Sequence, residues 1–316
     1  MTKKITDFFA LEGNYPDLDA EGAVARLSQA IQCRTINYAD HSLTDYSEFD
    51  KLHAHMKASY PHIMRAGVFE RLGHHAVLIT LPGSDETLRP CLYMSHQDVV
   101  PVVEGTEQDW TYPSFSGAVV DGYIWGRGAL DTKVTLCAIM EAAEQLIKEG
   151  FVPENDIYLA FSGEEEPAGP SAGDIVTALE ERGVRPALVL DEGGAVVTGA
   201  FPGVSVPCAL VGTAEKGQLR LSLEAESKGG HASSPPPQTI VGELAEAICE
   251  VDATGAPFTM TPPVEQMLDT LGRHASFPMR VVLANLNIFR PVLDVVSQLS
   301  GGELNALLRT TCAATQ

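Results

Sequence analysis

Carboxylates and one histidine stand where apolar runs of this sequence end. In "CLYMSHQDVVPV" His96 and Asp98 close a short apolar stretch. Glu164, Glu165 and Glu166 end "DIYLAFSGEEE", Asp191 and Glu192 fall in "PALVLDEGG", and Asp131 sits in "GRGALDTK" ahead of a helical pattern. Each has an ordinary explanation when taken alone. A single histidine is commonly structural, glutamates suit the positive end of a helix dipole, "DEGG" is a turn signal, and "GRG" is too short to mark a phosphate loop. Gathered in one place, an imidazole and several carboxylate oxygens form a donor set for a hard or borderline divalent ion, with zinc, manganese and cobalt all chemically admissible.

The elements around these residues give a reason for them to gather. Val24, Leu27 and Ile31 recur at helical spacing between about Glu21 and Cys33, and "EFDKLHAHMKASYPHI" reads as a second helix stopped near Pro61. "HAVLITLPG" and "CLYMSH" read as strands bounded by turn residues. A helix follows Asp131 through Val134, Cys137, Met140 and Ile147 and ends at Gly150. Then come the strand "DIYLAFSG", a helix over "AGDIVTALEERG" and the strand "PALVLDEGG". Strands alternating with helices predict an α/β fold, a mostly parallel sheet with helices on both faces. Residues just past the carboxyl ends of such strands converge on one crevice.

Composition narrows the partners. A chain of 316 residues with 45% hydrophobic and 20% charged residues reads as one large domain with a smaller one. Its 42 acidic against 21 basic residues give a net charge of -21. With no long basic run to neutralise phosphates, nucleic acid and anionic membrane are excluded as expected partners. The N-terminus has no sustained apolar segment of the secretory type, and no stretch reaches transmembrane length. The six cysteines lie far apart, without a zinc-knuckle or redox pair, which predicts reduced thiols and a cytoplasmic location.

The stretches "SHQDVVPV", "DGYIWGRGALDTK", "FSGEEEPAG", "VLDEGG", "KGGHASSPP" and "NALLRTT" together resemble the M20 family of metallopeptidases, most closely its carboxypeptidase S and aminoacylase-like branch, in the family's order from about residue 21 onward. The resemblance implies a two-metal hydrolase that cleaves the amide bond of small dipeptides or N-acyl amino acids. Its two divalent ions would be Zn2+, with Co2+ or Mn2+ as alternatives. It also implies a catalytic domain, here residues 1–211, and a partial α+β lid or dimerisation domain, here 212–316, through which a homodimer forms.

Carried residue by residue, the resemblance assigns His96 and Glu192 to one ion, Glu166 to the other and Asp131 as the bridge. Asp98 becomes the partner that fixes the His96 tautomer, and Glu165 the general base that moves a proton from water to the leaving amine. His231, in "KGGHASSPP", becomes the donor to the substrate carbonyl oxygen as negative charge develops on it. Asp191 stays open as the rival of Glu192. Glu164 departs from the family, where aspartate is common, and Pro167 follows the pair.

Members of the family are longer, so the resemblance also implies a further catalytic segment with a last histidine ligand. The surroundings of His274, in "LGRHASFPM", do not match that ligand's motif. The alternative reading is a truncated, inactive metal-binding or oligomerising remnant. A two-metal phosphoesterase is disfavoured because only the isolated Arg127 and Lys133 could clamp phosphate, and a nicotinamide site because "GRGALD" lacks the dinucleotide spacing.

Overall fold

The computed structural model describes residues 18–314. The chain divides into two compact units, Met1–Glu192 and Gly193–Gln316. In the first unit the order is α1 (Ala20–Gln32), α2 (Tyr46–Ser59), α3 (Pro61–Ala66), β1 (Val68–Leu72), β2 (Ala76–Leu81), β3 (Cys91–His96), β4 (Ala118–Val120), β5 (Tyr123–Trp125), α4 (Lys133–Lys148), β6 (Ile157–Ser162), α5 (Ser171–Glu181) and β7 (Leu188–Leu190). The helix expected to stop near Pro61 ends at Ser59, and Pro61 opens α3, since proline has no N–H to lose in a first turn.

The main sheet has the order β1-β2-β6-β3-β7. β3 pairs in parallel with β6 and β7, whereas β2 pairs antiparallel with both β1 and β6. Four strands therefore point one way and β2 alone runs against them, because a tight hairpin joins it to β1. This is the mostly parallel sheet the alternating pattern predicts.

Both faces are covered. Val77, Ile79, Leu159 and Phe161 pack with Leu27 and Ile31 of α1, Leu52 and Met56 of α2, and Leu136 and Met140 of α4. Their neighbours in sequence, Ala76, Leu78, Tyr158 and Ala160, point the other way and pack with Ile175 and Leu179 of α5. The period of two along each strand separates the two layers. Each large apolar side chain buried this way stabilises the fold by about 1.5–3 kcal/mol. Across the first layer Arg26 of α1 grips Glu141 of α4 at 2.5 and 2.7 Å, and the Tyr60 hydroxyl donates to the same carboxylate at 3.0 Å.

The second unit holds a short ribbon of β8 (Val196–Val197) and β9 (Cys208–Ala209), then α6 (Ile240–Ala253), α7 (Pro262–His274), α8 (Phe277–Leu283), α9 (Leu286–Ser300) and α10 (Gly302–Leu308). Val264 and Leu268 of α7 pack against Leu308 of α10, and Leu271 against Val204. The alternation of Leu219, Leu221 and Leu223 reads as a strand, yet these residues lie outside any ladder and are exposed. Alternation describes a face that could be covered. Without a neighbouring strand to take its N–H and C=O groups, it does not make a strand.

Candidate metal centre

Parallel register sets the site. His96 pairs with Ser162 at the ends of β3 and β6, and Leu190, the last residue of β7, pairs with Tyr93. The residues immediately after these strands, 97–99, 163–166 and 191–192, therefore leave the sheet at the same edge. The remaining contributor, Asp131, comes from the turn before α4. Gly128 in that turn has φ +82°, and a Cβ there would stand 2.7 Å from a Val99 methyl, so the turn needs glycine to lie against residues 97–99.

His96 is the centre of the cluster and is only 1% exposed. Its Nδ1–H donates to the main-chain carbonyl of Asp98 at 2.9 Å, with the Asp98 carboxylate at 3.4 Å. This leaves Nε2 to face the acids. Asp131 Oδ1 lies 3.0 Å from Nε2, Glu192 Oε1 3.2 Å and Glu165 Oε2 3.9 Å. One ligand atom each from His96, Asp131 and Glu192 all lie within 4.8 Å of one another.

Asp98 does more than face the imidazole. Fully buried, its carboxylate accepts the backbone N–H groups of Glu165 and Glu166, each at 3.1 Å. The glutamate turn is thus fastened to the residue that orients His96. Glu166 itself is half-buried and lies outside the close trio. Asp191 and Glu192 separate clearly: the Asp191 carboxylate accepts the Glu192 N–H at 2.8 Å, while the Glu192 carboxylate turns to the histidine. Glu164 is buried beside His41, whose Nδ1 is 3.2 Å from its Oε1. His231 is in the second unit, exposed, with its carbonyl accepting the Ser234 N–H at 3.0 Å.

The electrostatics are those of an anion-rich pocket around one imidazole. Burial pulls the His96 pKa down, but hydrogen bonding and charge from Asp98, then Glu192 and Asp131, outweigh it and carry it up to about 9. Glu166 is pushed up by burial and then by the charge of Asp131. Glu192 is also pushed up, by burial first, with Asp131 adding and a Thr132 hydrogen bond and His96 opposing. Such crowding is relieved by a divalent cation. The spacing agrees: atoms bound at 2.0–2.2 Å to one tetrahedral zinc stand about 3.3 Å apart, close to the 3.0 and 3.2 Å found from Nε2 to Asp131 and Glu192. His96, Asp131 and Glu192 therefore fit a divalent ion.

Residues not singled out in the sequence hold this arrangement. Gln97 is wholly buried, on the opposite side of the chain from His96 and Asp98. Its amide donates to the carbonyls of Phe161 and His75 at 2.8 and 2.9 Å, and its oxygen lies 2.6 Å from Nε2 of buried His53. A glutamine between two chemical residues at the end of a buried strand was the available signal, since a buried amide must find partners.

A sequence profile described as peptidase family M20/M25/M40 matches residues 92–277. An N-fatty-acyl-amino acid synthase/hydrolase PM20D1 of Xenopus tropicalis is 36% identical over 298 residues, covering 92% of this chain and 57% of its own length. A probable carboxypeptidase S-like 2 of Dictyostelium discoideum is 34% identical, covering 92% of this chain and 56% of its own. Among solved structures, human carnosine dipeptidase 1 superposes with a TM-score of 0.48 at 20% identity, over 60% of this chain and 41% of that one. The chain thus spans a little over half the length of the curated relatives it matches.

Proposed function

The chain belongs to the M20/M25/M40 peptidase family, and on that premise we propose that it carries the metal-holding part of a hydrolase cleaving the amide bond of N-acyl amino acids or small dipeptides. The observation that carries this proposal is the trio of His96, Asp131 and Glu192, with Glu165 just beyond it at 3.9 Å from Nε2. The family is metal-dependent. The names of the relatives, an N-fatty-acyl-amino acid hydrolase and a carboxypeptidase, suggest the substrate class.

His96 and Glu192 would hold one ion and Glu166 a second, with Asp131 between them. Zinc is the preferred identity, and cobalt or manganese would suit the same donors. Bound ions would supply Lewis acidity and make a nearby water easier to deprotonate. The remaining steps belong to side chains. Asp98, through its carbonyl, keeps the proton on His96 Nδ1 and so keeps Nε2 free. Glu165, 55% exposed and outside the trio, accepts the proton of the attacking water on its carboxylate and returns it to the leaving amine nitrogen. His231 would donate to the carbonyl oxygen as it gains charge.

Among the described residues no helix is long and apolar enough to cross a membrane. The six cysteines are free thiols, and a reducing, cytoplasmic setting is the one we favour for them. A homodimer through the second unit, residues 212–316 in particular, is the assembly we favour. The test of function is a panel of N-fatty-acyl amino acids and dipeptides assayed with zinc and after chelation. Release of free amino acid that chelation abolishes and zinc restores is expected. Zinc held tightly with no turnover on any member would instead favour an inactive metal-binding remnant.

A further inference from the structure

Two residues after Asp131, the side chain of Lys133 runs into the interior, and it is fully buried. Its ammonium donates to the carbonyl oxygens of Ala30 at 3.0 Å and Cys33 at 2.6 Å. These carbonyls belong to the last turn of α1 and its C-cap. A helix cannot satisfy such carbonyls itself, and they form the negative end of its dipole. A buried ammonium is costly unless it is well bonded, and the partners of this one are main-chain oxygens rather than a carboxylate. Neither the general base, nor the ligands, nor the orientation of His96 requires it.

What lies beyond Cys33 explains the placement. Thr35 Oγ1 donates to the Gln97 carbonyl at 2.6 Å, and the Thr35 carbonyl accepts the Val99 N–H at 3.0 Å. The Asn37 N–H donates to the Val99 carbonyl at 3.1 Å, and its side-chain amide donates to the Gly163 carbonyl at 2.7 Å. Residues 33–37 thus form a strut that touches the chain on either side of Asp98 and the first residue of the glutamate turn. Lys133 ties the third contributor, the Asp131 turn, to the same strut. Its own N–H closes that turn on the Gly128 carbonyl at 3.0 Å.

We propose that Lys133 is a positioning residue that clamps the Asp131 turn to the carboxyl end of α1, so that Asp131 faces His96 before any ion arrives. It acts through Asp131 and touches no substrate. The inference rests on the reading of Asp131 as a ligand, and the experiment separates the two.

Zinc affinity of the purified protein, measured by chelator competition alongside the melting temperature, is the readout. Lys133→Met keeps most of the side-chain bulk but removes charge and donors. It should weaken zinc binding about 10–100-fold, the range for outer partners of a ligand, and Lys133→Arg should fall nearer the unaltered protein. Met140→Ala, a core truncation about two turns further along the same helix that removes no hydrogen bond of the strut, should lower the melting temperature while leaving zinc affinity within about two-fold. Unchanged affinity in Lys133→Met overturns the proposal. So does an equal weakening by Met140→Ala at the same loss of melting temperature, because the effect would then be general softening. If Lys133→Met does not fold, Thr35→Val removes the strut's bond to Gln97 at constant size, and unchanged zinc affinity there overturns the proposal as well. Asp131→Asn decides the underlying reading: full zinc affinity in that variant refutes Asp131 as a ligand and Lys133 with it. Loss in Asp131→Asn with none in Lys133→Met refutes Lys133 alone.

Discussion

Acidification should weaken this protein through His53, and the size of the effect follows from its surroundings. His53 is 3% exposed in α2, and its Nε2 lies 2.6 Å from Gln97 Oε1. The Gln97 amide nitrogen is already committed to two carbonyls, so its oxygen faces the ring and His53 must donate from Nε2. Its Nδ1 is buried without a hydrogen-bond partner among the described residues. Burial, only partly offset by the Gln97 hydrogen bond, lowers its pKa to about 4. The unfolded chain takes up this proton near the ordinary histidine value of 6.5, whereas the folded chain waits until about 4. Stability from His53 is therefore complete above the unfolded pKa and is lost as pH falls from there toward the folded one. Between about pH 7 and pH 4.5 the loss amounts to about 2 kcal/mol. His53→Leu abolishes the titration but leaves Gln97 Oε1 unsatisfied, at a cost of about 1–3 kcal/mol that does not depend on pH. Urea unfolding of both proteins at the two pH values should show the advantage of the unaltered protein shrinking or reversing on acidification. A difference between the two that stays constant across that interval would refute the reasoning.

Three further outcomes bear on the site. Asp98→Asn puts an amide where one oxygen accepted a backbone N–H; zinc titration should show about 10–100-fold weaker binding, since the glutamate turn loses one of its two bonds to Asp98 and His96 loses the carboxylate charge beside its Nδ1, although its bond to the Asp98 carbonyl stays. Glu165→Gln should lower turnover of the complete, zinc-loaded enzyme about 100-fold or more while zinc content by metal analysis stays the same; equal loss of zinc would make Glu165 a ligand instead. Glu192→Gln should lose tightly held zinc after dialysis and Asp191→Asn should keep it, and the reverse result would exchange the two residues.

Much of this arrangement was legible because the informative residues end strands. Apolar runs stop at His96, at the glutamate turn and at Asp191, and in a parallel sheet those stops fall on one edge. Spacing alone did not separate Asp191 from Glu192, and the preference for Glu192 came from the resemblance; in the structure Asp191 turns back to accept the Glu192 N–H and Glu192 faces His96. Glu166, which the resemblance assigns to a second ion, lies outside the trio of His96, Asp131 and Glu192 and feels the charge of Asp131. The β4–β5 hairpin has its signal in the turn itself. "VVDGYI" carries Asp121 and Gly122, both with positive φ, the two-residue turn that joins twisted strands most easily. Leu219, Leu221 and Leu223 gave the opposite lesson, a pattern without a partner.

The supporting groups were the least legible, for one physical reason. Lys133, Gln97 and His53 are polar residues inside the core, and a residue-type argument puts lysine and glutamine on the surface. They are buried because the loops they serve carry carboxylates that repel one another. Asp131 and Glu192 both face His96, and Glu166 feels the charge of Asp131. Apolar packing cannot hold such a set in register, because it is non-directional. Hydrogen bonds to main-chain groups can, and here they come from three sides: Asp98 to the glutamate turn, Gln97 to the end of β6, and Lys133 to the end of α1. The cluster is consequently built from the backbone outward, with its shape set by bonds to main-chain groups and its carboxylates offset only by the one imidazole. That is the arrangement expected of a site that must present fixed oxygens to a cation rather than collapse around it.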